Sequence, residues 1–192
     1  MGWLVSTKTL CLFEVDLTAA PAPICLPKVS VAYQHLDAHA WAVQRQTASF
    51  PDRHLYPARF ARGEHFWTVQ QADTILGYCW ATQEPVKIGE IRCVMSPRRD
   101  EVYFYDALTF AEHRGQNLYP ALLQAMLDAS RAAGLRRALI FVMHDNTASI
   151  RGVQKAGFRE FQRLICRNLF GFVRYAFQPS LNAPAGVTLL PA

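Results

Sequence analysis

Residues 101–119, EVYFYDALTFAEHRGQNLY, and the helix that follows them decide the fold of this chain. The stretch Val102–Thr109 is rich in β-branched and aromatic residues, which predicts a strand. The next helix is marked at both ends, because Pro120 suits a first helical position and Gly134 suits the left-handed residue just past the last turn. The order therefore predicts a strand that enters a helix through a turn over residues 110–119.

A second strand and a second helix follow directly. Ala138–Met143 is a continuous apolar run, as expected of a strand that is buried on both faces. Asn146 is a good N-cap for the next helix, which ends at Gly157. Two parallel strands joined through a helix need a right-handed crossover. The predicted fold class is a mixed α/β sheet with a central strand–turn–helix–strand–helix unit.

Patterns on either side of this unit predict the remaining elements and the domain limits. Strands are predicted at Leu10–Leu17, Val29–Tyr33, Phe66–Gln70, Thr74–Ala81, Phe161–Arg167 and Phe172–Phe177, and a helix is predicted at about 36–48. Residues 1–30 are expected to form an N-terminal extension with a proline-rich linker at Ala19–Pro27. Residues 31–178 are expected to form the main domain, and residues 179–192 a C-terminal tail.

Composition excludes several classes of protein. With 51% hydrophobic and 18% charged residues, the 192-residue chain is expected to be globular rather than disordered. No apolar run reaches the roughly 18 residues of a membrane span, and no convincing signal peptide begins the chain, so a cytoplasmic location is expected. The five scattered cysteines indicate free thiols and no metal site. The net charge of +5 is dispersed, which disfavours nucleic acid and is compatible with an anionic cofactor.

The turn Arg114–Tyr119 has the chemistry of an anion site. A helix N-terminus presents unsatisfied N–H groups and the positive end of the helix dipole, which suit a pyrophosphate. Gly115 permits close approach of the backbone to a ligand. Asn117 is the non-glycine residue that best tolerates a positive φ, so inward-facing N–H groups remain feasible there.

Residues 101–158 resemble the core of the GNAT superfamily, the GCN-related N-acetyltransferases. Arg114–Tyr119 is similar to that family's R-x-x-G-x-G/A turn at Arg114 and in its place between a strand and a helix. It departs from the pattern at both later glycine positions, which are Asn117 and Tyr119 here.

A second segment carries the same resemblance. Asn146 stands before a helix that ends in Lys155–Phe158, which resembles the family's N-x-x-A…G-F segment, with Ser149 in the small-residue place. The two segments are separated by one helix and one strand, as in the family. This combination is more specific than either segment alone.

The resemblance implies an acyl-CoA-dependent N-acyltransferase, most simply one that uses acetyl-CoA. The pantetheine arm would lie where the strand ending near Thr109 diverges from its parallel neighbour, Ala138–Met143. The residues implied in cofactor binding are Leu108, Thr109, Arg114, Gly115, Gln116, Asn117, Leu118, Tyr119, Asn146 and Ser149. A primary amine would attack the thioester directly, with no acyl-enzyme.

The acceptor is expected to be a small-molecule amine. A protein or peptide amine is the alternative within enzymes, and a CoA-binding regulatory module without turnover is the alternative outside them. A homodimer is compatible with the sequence.

Three side chains are candidates for the general base. Glu101, thirteen residues before Arg114, resembles in position the catalytic glutamate of histone-modifying members. Asp106 lies deeper in the same strand, where desolvation would raise its pKa. Strand alternation places Asp106 and Glu101 on opposite faces unless a bulge intervenes. His144, just after the second parallel strand, is the third candidate.

The general acid departs from the family's pattern. Many relatives carry a tyrosine seven residues after the asparagine, as proton donor to the thiolate, but Val153 stands there in this chain. Because a valine donates no proton, another hydroxyl or solvent must replace it. Tyr105 is the first candidate and Tyr119 the second, since both belong to the strand and turn implied in cofactor binding.

Overall fold

The structure is a computed structural model that describes residues 5–44, 50–179 and 189–191. Its elements in chain order are β1 (Val5–Asp16), β2 (Ala32–Leu36), α1 (Ala38–Gln44), α2 (Tyr56–Ala61), β3 (His65–Gln71), β4 (Thr74–Thr82), β5 (Val86–Ile88), β6 (Cys93–Met95), β7 (Glu101–Thr109), α3 (Leu118–Ala132), β8 (Arg137–Met143), α4 (Thr147–Lys155), β9 (Arg159–Leu169), β10 (Phe172–Pro179) and β11 (Leu189–Pro191).

Eight strands form one mixed sheet in the order β10–β9–β1–β8–β7–β4–β3–β2, and β5, β6 and β11 form a smaller sheet. Among the strand pairs of the described residues, β7 and β8 are parallel and the others are antiparallel. Helix α3 makes the crossover between β7 and β8, so the predicted mixed α/β fold is confirmed.

The two parallel strands separate at their C-terminal ends. Their pairing runs from Glu101 opposite Arg137 to Phe104 opposite Ile140 and then stops. β7 nevertheless continues to Thr109, and β8 also extends beyond the last pair. We call this opening the splay. It confirms that the strands around the turn are parallel neighbours that diverge.

A bulge in β7 lies at the start of the splay. On β4, Tyr78 and Trp80 are two residues apart, whereas their partners on β7, Leu108 and Tyr105, are three residues apart. The extra residue is accommodated where Asp106 takes a left-handed conformation with φ of 48°. The bulge interrupts the strand alternation, so the side of the sheet that Asp106 faces does not follow from counting residues.

β1 occupies an interior position in the large sheet. It pairs with β8 along one edge and with β9 along the other. This differs from the N-terminal extension predicted for residues 1–30, because Val5–Asp16 is integral to the sheet. The pattern of a strand reveals which faces are buried but not which strands lie beside it, so the sequence did not place β1.

Three other elements differ from their predicted bounds. The strand predicted at Val29–Tyr33 is observed as β2, which begins at Ala32, because Val29 and Val31 pack onto the core from the segment before it. The helix predicted at about 36–48 is observed as α1 up to Gln44, and residues 45–49 lie outside the described residues. The predicted tail contains β11, which pairs with β6.

The start of α3 also differs by two residues. The helix begins at Leu118, so Pro120 is its third residue rather than its first. The missing N–H of Pro120 still costs no helical hydrogen bond, because the first four N–H groups of a helix have no partner within it. The other end is as predicted, since Gly134 follows the helix with φ of 77°.

The two faces of the sheet are covered by different layers. Alternation along β1 sends Cys11 and Phe13 to a core shared with α3 and α4, and sends Leu10 and Leu12 to a core shared with the smaller sheet. Helices α3 and α4 therefore cover one face of the sheet, and strands β5 and β6 pack on the other.

We predict that Gly77→Ala destabilises the fold at the outer half of β7. A Cβ atom at this position would lie 2.7 Å from the Leu108 carbonyl oxygen and 3.2 Å from Thr109 Cα, both on the backbone. Overpacking of this kind costs about 1–3 kcal/mol of unfolding free energy, measurable by urea denaturation. The matched control is Gly89→Ala, whose Cβ would meet no atom within 4 Å. Equal unfolding midpoints for the two variants would contradict the observed packing.

Candidate functional site

Two cavities lie beside the bulge of β7. One has a volume of about 570 Å³ and is bounded by residues 107–109, by the turn before α3, by the first turn of α3 and by one face of α4; we call it the turn cavity. The other has a volume of about 860 Å³ and includes Tyr103, Tyr105 and Asp106 among its lining residues; we call it the aromatic cavity. Because Asp106 and Ala107 are consecutive, the two cavities adjoin the same point of β7.

Nine of the ten residues predicted to bind a cofactor line the turn cavity. They are Leu108, Thr109, Arg114, Gly115, Asn117, Leu118, Tyr119, Asn146 and Ser149. The tenth, Gln116, does not line the turn cavity. Its carbonyl oxygen accepts a hydrogen bond of 3.0 Å from the Lys28 N–H. The fold therefore brings the two sequence segments together around one cavity.

The turn presents free backbone donors. Gly115 and Asn117 both have left-handed conformations, with φ of 77° and 59°. Among the residues that the structure describes, none accepts a hydrogen bond from the N–H groups of residues 115–119. When left-handed residues alternate with other residues in a turn, successive N–H groups point to the same side and form a concave anion-binding site, known as a nest.

Basic side chains surround the same turn. His113, Arg114, Arg151 and Lys155 line the turn cavity. Lys155 donates a hydrogen bond of 3.2 Å to Oδ1 of Asn117, which joins α4 to the turn. Arg151 and Lys155 were not predicted from the sequence as site residues. Their spacing of four residues was a usable signal, since it places both on one face of α4.

The first turn of α4 holds a phenol in the turn cavity. Asn146 caps α4 through a 3.1 Å hydrogen bond from the Ser149 N–H, and Ser149 Oγ lies 3.4 Å from the Tyr119 hydroxyl. The Tyr119 ring lies against Gly152, where a Cβ would come within 2.5 Å of it. Burial raises the pKa of Tyr119 well above its ordinary value, and the nearby Cys79 thiol adds to the increase. Tyr119 is therefore a neutral hydroxyl donor throughout the physiological range.

Val153 is absorbed into the core. Its side chain is fully buried in the cluster that α3 and α4 share with the sheet. Val153 lines neither the turn cavity nor the aromatic cavity. The Tyr119 ring, which comes from α3, lies against Gly152, the residue that precedes Val153 on α4.

The aromatic cavity contains a tyrosine–carboxylate pair. The Tyr105 hydroxyl donates a hydrogen bond to Oε2 of Glu64, and Oε1 of Glu64 accepts from Arg62. Glu64 is buried, whereas Tyr105 lines the cavity. Burial first, and then the hydrogen bond to Glu64, raise the pKa of Tyr105. Glu64 was not predicted from the sequence as a site residue, because it lies 41 residues from Tyr105 along the chain.

Asp106 in the same cavity is already paired. Its carboxylate lies 2.5 Å from a guanidinium nitrogen of Arg59. The Arg59 guanidinium also lies over the rings of Tyr56, Trp80 and Tyr105, at 5.0 to 5.6 Å from their centroids. Arg59 therefore joins α2 to the bulge, and it neutralises the carboxylate nearest the splay.

The remaining two candidates lie away from both cavities. Glu101 is buried at the opposite end of β7 from the splay, where it pairs with Arg137 at 3.0 Å and accepts from the Arg98 N–H. Arg137 also pairs with Glu14. His144 is exposed, with Nδ1 3.7 Å from the Cys11 thiol. Neither Glu101 nor His144 lines the turn cavity or the aromatic cavity.

Within the described ranges, no group of three or more His, Cys, Asp or Glu side chains is arranged to hold a metal ion. None of the helices in those ranges has the length and apolar character of a membrane span.

We predict that Glu101→Gln lowers stability, because it removes one carboxylate from a buried guanidinium. Hydrogen bonds to charged groups contribute roughly 1.5–3 kcal/mol each, and a loss of this size is expected in urea denaturation. Glu84→Gln, at an exposed position, is the matched control and should leave the unfolding midpoint unchanged. A Glu101→Gln midpoint equal to that of the control would show that the ion pair is not structural.

Comparison with known structures supports the same fold. A GCN5-related N-acetyltransferase from Sphaerobacter thermophilus has a TM-score of 0.59 at 15% identity, over 85% of this chain and 52% of that chain. An acetyltransferase from the GNAT family from Colwellia psychrerythraea has a TM-score of 0.56 at 13% identity, over 84% and 55% respectively. This chain thus spans about half the length of these structural relatives.

A search of curated proteins found no match. A family model does match: that of the acetyltransferase (GNAT) family, over residues 31–158. The matched range contains β7, the turn, α3, β8 and α4, and all of these except β8 line the turn cavity. Because the match covers more than half of the chain, this protein belongs to the acetyltransferase (GNAT) family.

Proposed function

We propose that this protein is an N-acyltransferase that moves an acyl group, most simply acetyl, from a CoA thioester directly to a primary amine of a small molecule. The observation that carries the proposal is the turn cavity, where free N–H groups and four basic side chains lie beside the splay. Free amides at a helix N-terminus suit a diphosphate, and Arg114, Arg151 and Lys155 would neutralise its charge.

The outer half of β7 would hold the pantetheine arm. Leu108 and Thr109 pair with β4 along one edge, whereas the edge that faces β8 has no partner strand after Phe104. An extended amide-bearing chain can pair with such an edge as an added strand does. The arm would then run from the turn toward Tyr105 and bring the thioester between the two cavities.

Tyr105 and Glu64 would take a proton from the amine. The Tyr105 hydroxyl donates to Glu64, which leaves its oxygen lone pairs free to accept from an ammonium in the aromatic cavity. As the ammonium proton moves to the Tyr105 oxygen, the phenol proton moves to the Glu64 carboxylate. The neutral amine can then attack the thioester carbonyl. Asp106 is a weaker candidate because Arg59 already occupies its carboxylate.

Tyr119 would return a proton to the other product. When the C–S bond breaks, the CoA sulfur leaves as a thiolate and needs a proton. Tyr119 is a neutral phenol in the turn cavity, positioned by Gly152 and Ser149. We therefore assign it the role that the sequence analysis gave first to Tyr105. Glu101 and His144 receive no role, because neither lines a cavity.

The aromatic cavity, at about 860 Å³, has a size that supports a small acceptor. It is bounded by the α2 region and by residues 85–90, and its wall includes Tyr103, Phe141 and Met143. This lining suits an amine attached to an apolar or aromatic body.

The five cysteines are free thiols, four of them buried, which supports a reducing compartment such as the cytoplasm.

The direct test of the function is release of the CoA thiol from acetyl-CoA with a panel of primary amines and one peptide. Turnover with small amines supports the proposal. Turnover with the peptide alone would assign a protein acceptor instead. Tight CoA binding with no turnover across the panel would favour a regulatory module.

We predict that Gly115→Asp weakens CoA binding by at least tenfold, about 1.4 kcal/mol. The substitution places a carboxylate at the open surface of the turn cavity, where it repels a diphosphate and strains a left-handed residue. Calorimetry with CoA measures the effect. Gly134→Asp is the matched control, because Gly134 has the same φ of 77° and open surroundings at the other end of α3. Equal CoA dissociation constants for the two folded variants would show that the turn does not bind the diphosphate.

We predict that Tyr119→Phe and Tyr105→Phe both slow acyl transfer but depend on pH differently. Each should lower the single-turnover rate at least about tenfold at neutral pH, because each loses a proton-transfer group. Above the pKa of the amine, near 10 for an alkylamine, the acceptor no longer needs a base. Above the pKa of a thiol, about 8.5, the departing thiolate no longer needs a proton, so the Tyr119→Phe defect should shrink first as pH rises. The Tyr105→Phe defect should persist until the pH passes the pKa of the amine.

CoA affinity, measured in parallel, should be unchanged in both variants, which separates chemistry from binding. A Tyr119→Phe variant with an unaltered rate would exclude Tyr119 as the acid and favour protonation by solvent. Parallel pH profiles for the two variants would contradict the separate roles.

A further inference from the structure

The segment between β1 and β2, residues 19–31, runs against the outer side of α3; we call it the strap. It is joined to the turn at two points. The Lys28 N–H donates to the Gln116 carbonyl at 3.0 Å, and Nδ2 of Asn117 donates to the Leu26 carbonyl at 3.4 Å. These contacts connect a proline-rich segment to the backbone of the turn.

The strap is also fixed at points remote from the turn. The Gln124 side chain on α3 accepts from the Cys25 N–H at 2.7 Å and donates to the Pro23 carbonyl at 2.8 Å. Near the end of α4, Ala22 lies so close to Gly157 that a Cβ there would come within 2.5 Å of the Ala22 methyl. Gln124 therefore anchors the strap through both the oxygen and the nitrogen of its side-chain amide, without lining the turn cavity.

Asn117 connects three parts of the molecule. Its backbone is left-handed in the turn, its Nδ2 donates to the strap, and its Oδ1 accepts from Lys155 on α4. A glycine at this position would adopt the same conformation but would make neither side-chain bond. The side chain thus adds a link from the turn to both neighbours.

The strap also fixes the direction of one amide. The Gln116 carbonyl and the Asn117 N–H belong to one planar trans peptide and point in opposite directions. Because the Lys28 N–H holds this carbonyl toward the strap, the Asn117 N–H is directed away from the strap. The bond to the strap therefore restricts rotation of a peptide whose N–H belongs to the donor set of the turn.

We propose that the strap is a positioning element of the CoA site, and that CoA and the strap stabilise each other through the turn. The proposal rests on the proposed function of the turn cavity. The turn loses conformational freedom when the diphosphate binds. An ordered strap already restricts the turn before binding, so less freedom is lost in the binding step and the affinity is higher. Linkage is reciprocal, so bound CoA stabilises the strap by the same factor by which the strap improves CoA affinity.

Gln124→Ala tests the proposal from outside the cavity. It should raise the CoA dissociation constant about fivefold to tenfold, a coupling within the usual range, and leave the rate at saturating acyl-CoA within twofold. Gln124→Glu keeps the acceptor for the Cys25 N–H but loses the donor, and should give an intermediate affinity. Gln154→Ala, on the exposed face of α4, is the matched control and should bind CoA as the wild type does.

Hydrogen exchange of the wild type supplies the reciprocal readout. CoA should slow exchange of the Cys25 and Lys28 amides, and Gln124→Ala should reduce that protection. Failure of the wild type to bind CoA would refute the proposed function itself. If the wild type binds CoA but the folded Gln124→Ala variant binds it equally well, the strap has no positioning role. Unchanged exchange of the strap amides on CoA binding would overturn the coupling in the same way.

Discussion

The separation of β7 from β8 after Phe104 is the constraint on which the rest of the site depends. A bulge with Asp106 in a left-handed conformation changes the course of β7, and the strand then continues without its parallel partner. The edge of β7 that faces β8 is left free, and a cavity opens on either side of the bulge. Because Asp106 and Ala107 are exposed, this edge is accessible to an extended ligand that could pair with it as an added strand does.

The two cavities hold the groups for different steps of the proposed reaction: proton acceptance from the amine in the aromatic cavity, and proton donation to the thiolate in the turn cavity. On one side, Tyr105 and Glu64 form a hydrogen-bonded pair suited to receive a proton. On the other side, Tyr119 offers a neutral hydroxyl that burial keeps protonated. The two phenols come from different elements, the bulged strand and the first turn of α3, so the divergence of β7 sets their relative positions. Arg59 stabilises this arrangement by pairing with Asp106 at the bulge itself.

The sequence predicted the central unit and most of the turn cavity because those signals are local. Asn117 and Tyr119 depart from the glycines of the family pattern, yet Asn117 keeps the left-handed conformation and Tyr119 lies against Gly152. Contacts between distant segments were not predictable, since no local pattern brings Glu64 to Tyr105 or the strap to the turn. For the same reason, the sequence did not predict that β1 lies in the interior of the sheet, between β8 and β9.

A crystal structure of the protein with CoA tests the central claim most directly. The account predicts that the diphosphate oxygens lie within hydrogen-bond distance of the N–H groups of residues 115–119. It also predicts that the pantetheine amides pair with the free edge of β7 and that the sulfur lies near the hydroxyl of Tyr119. A diphosphate bound elsewhere, such as beneath the strap or in the aromatic cavity, would contradict the account.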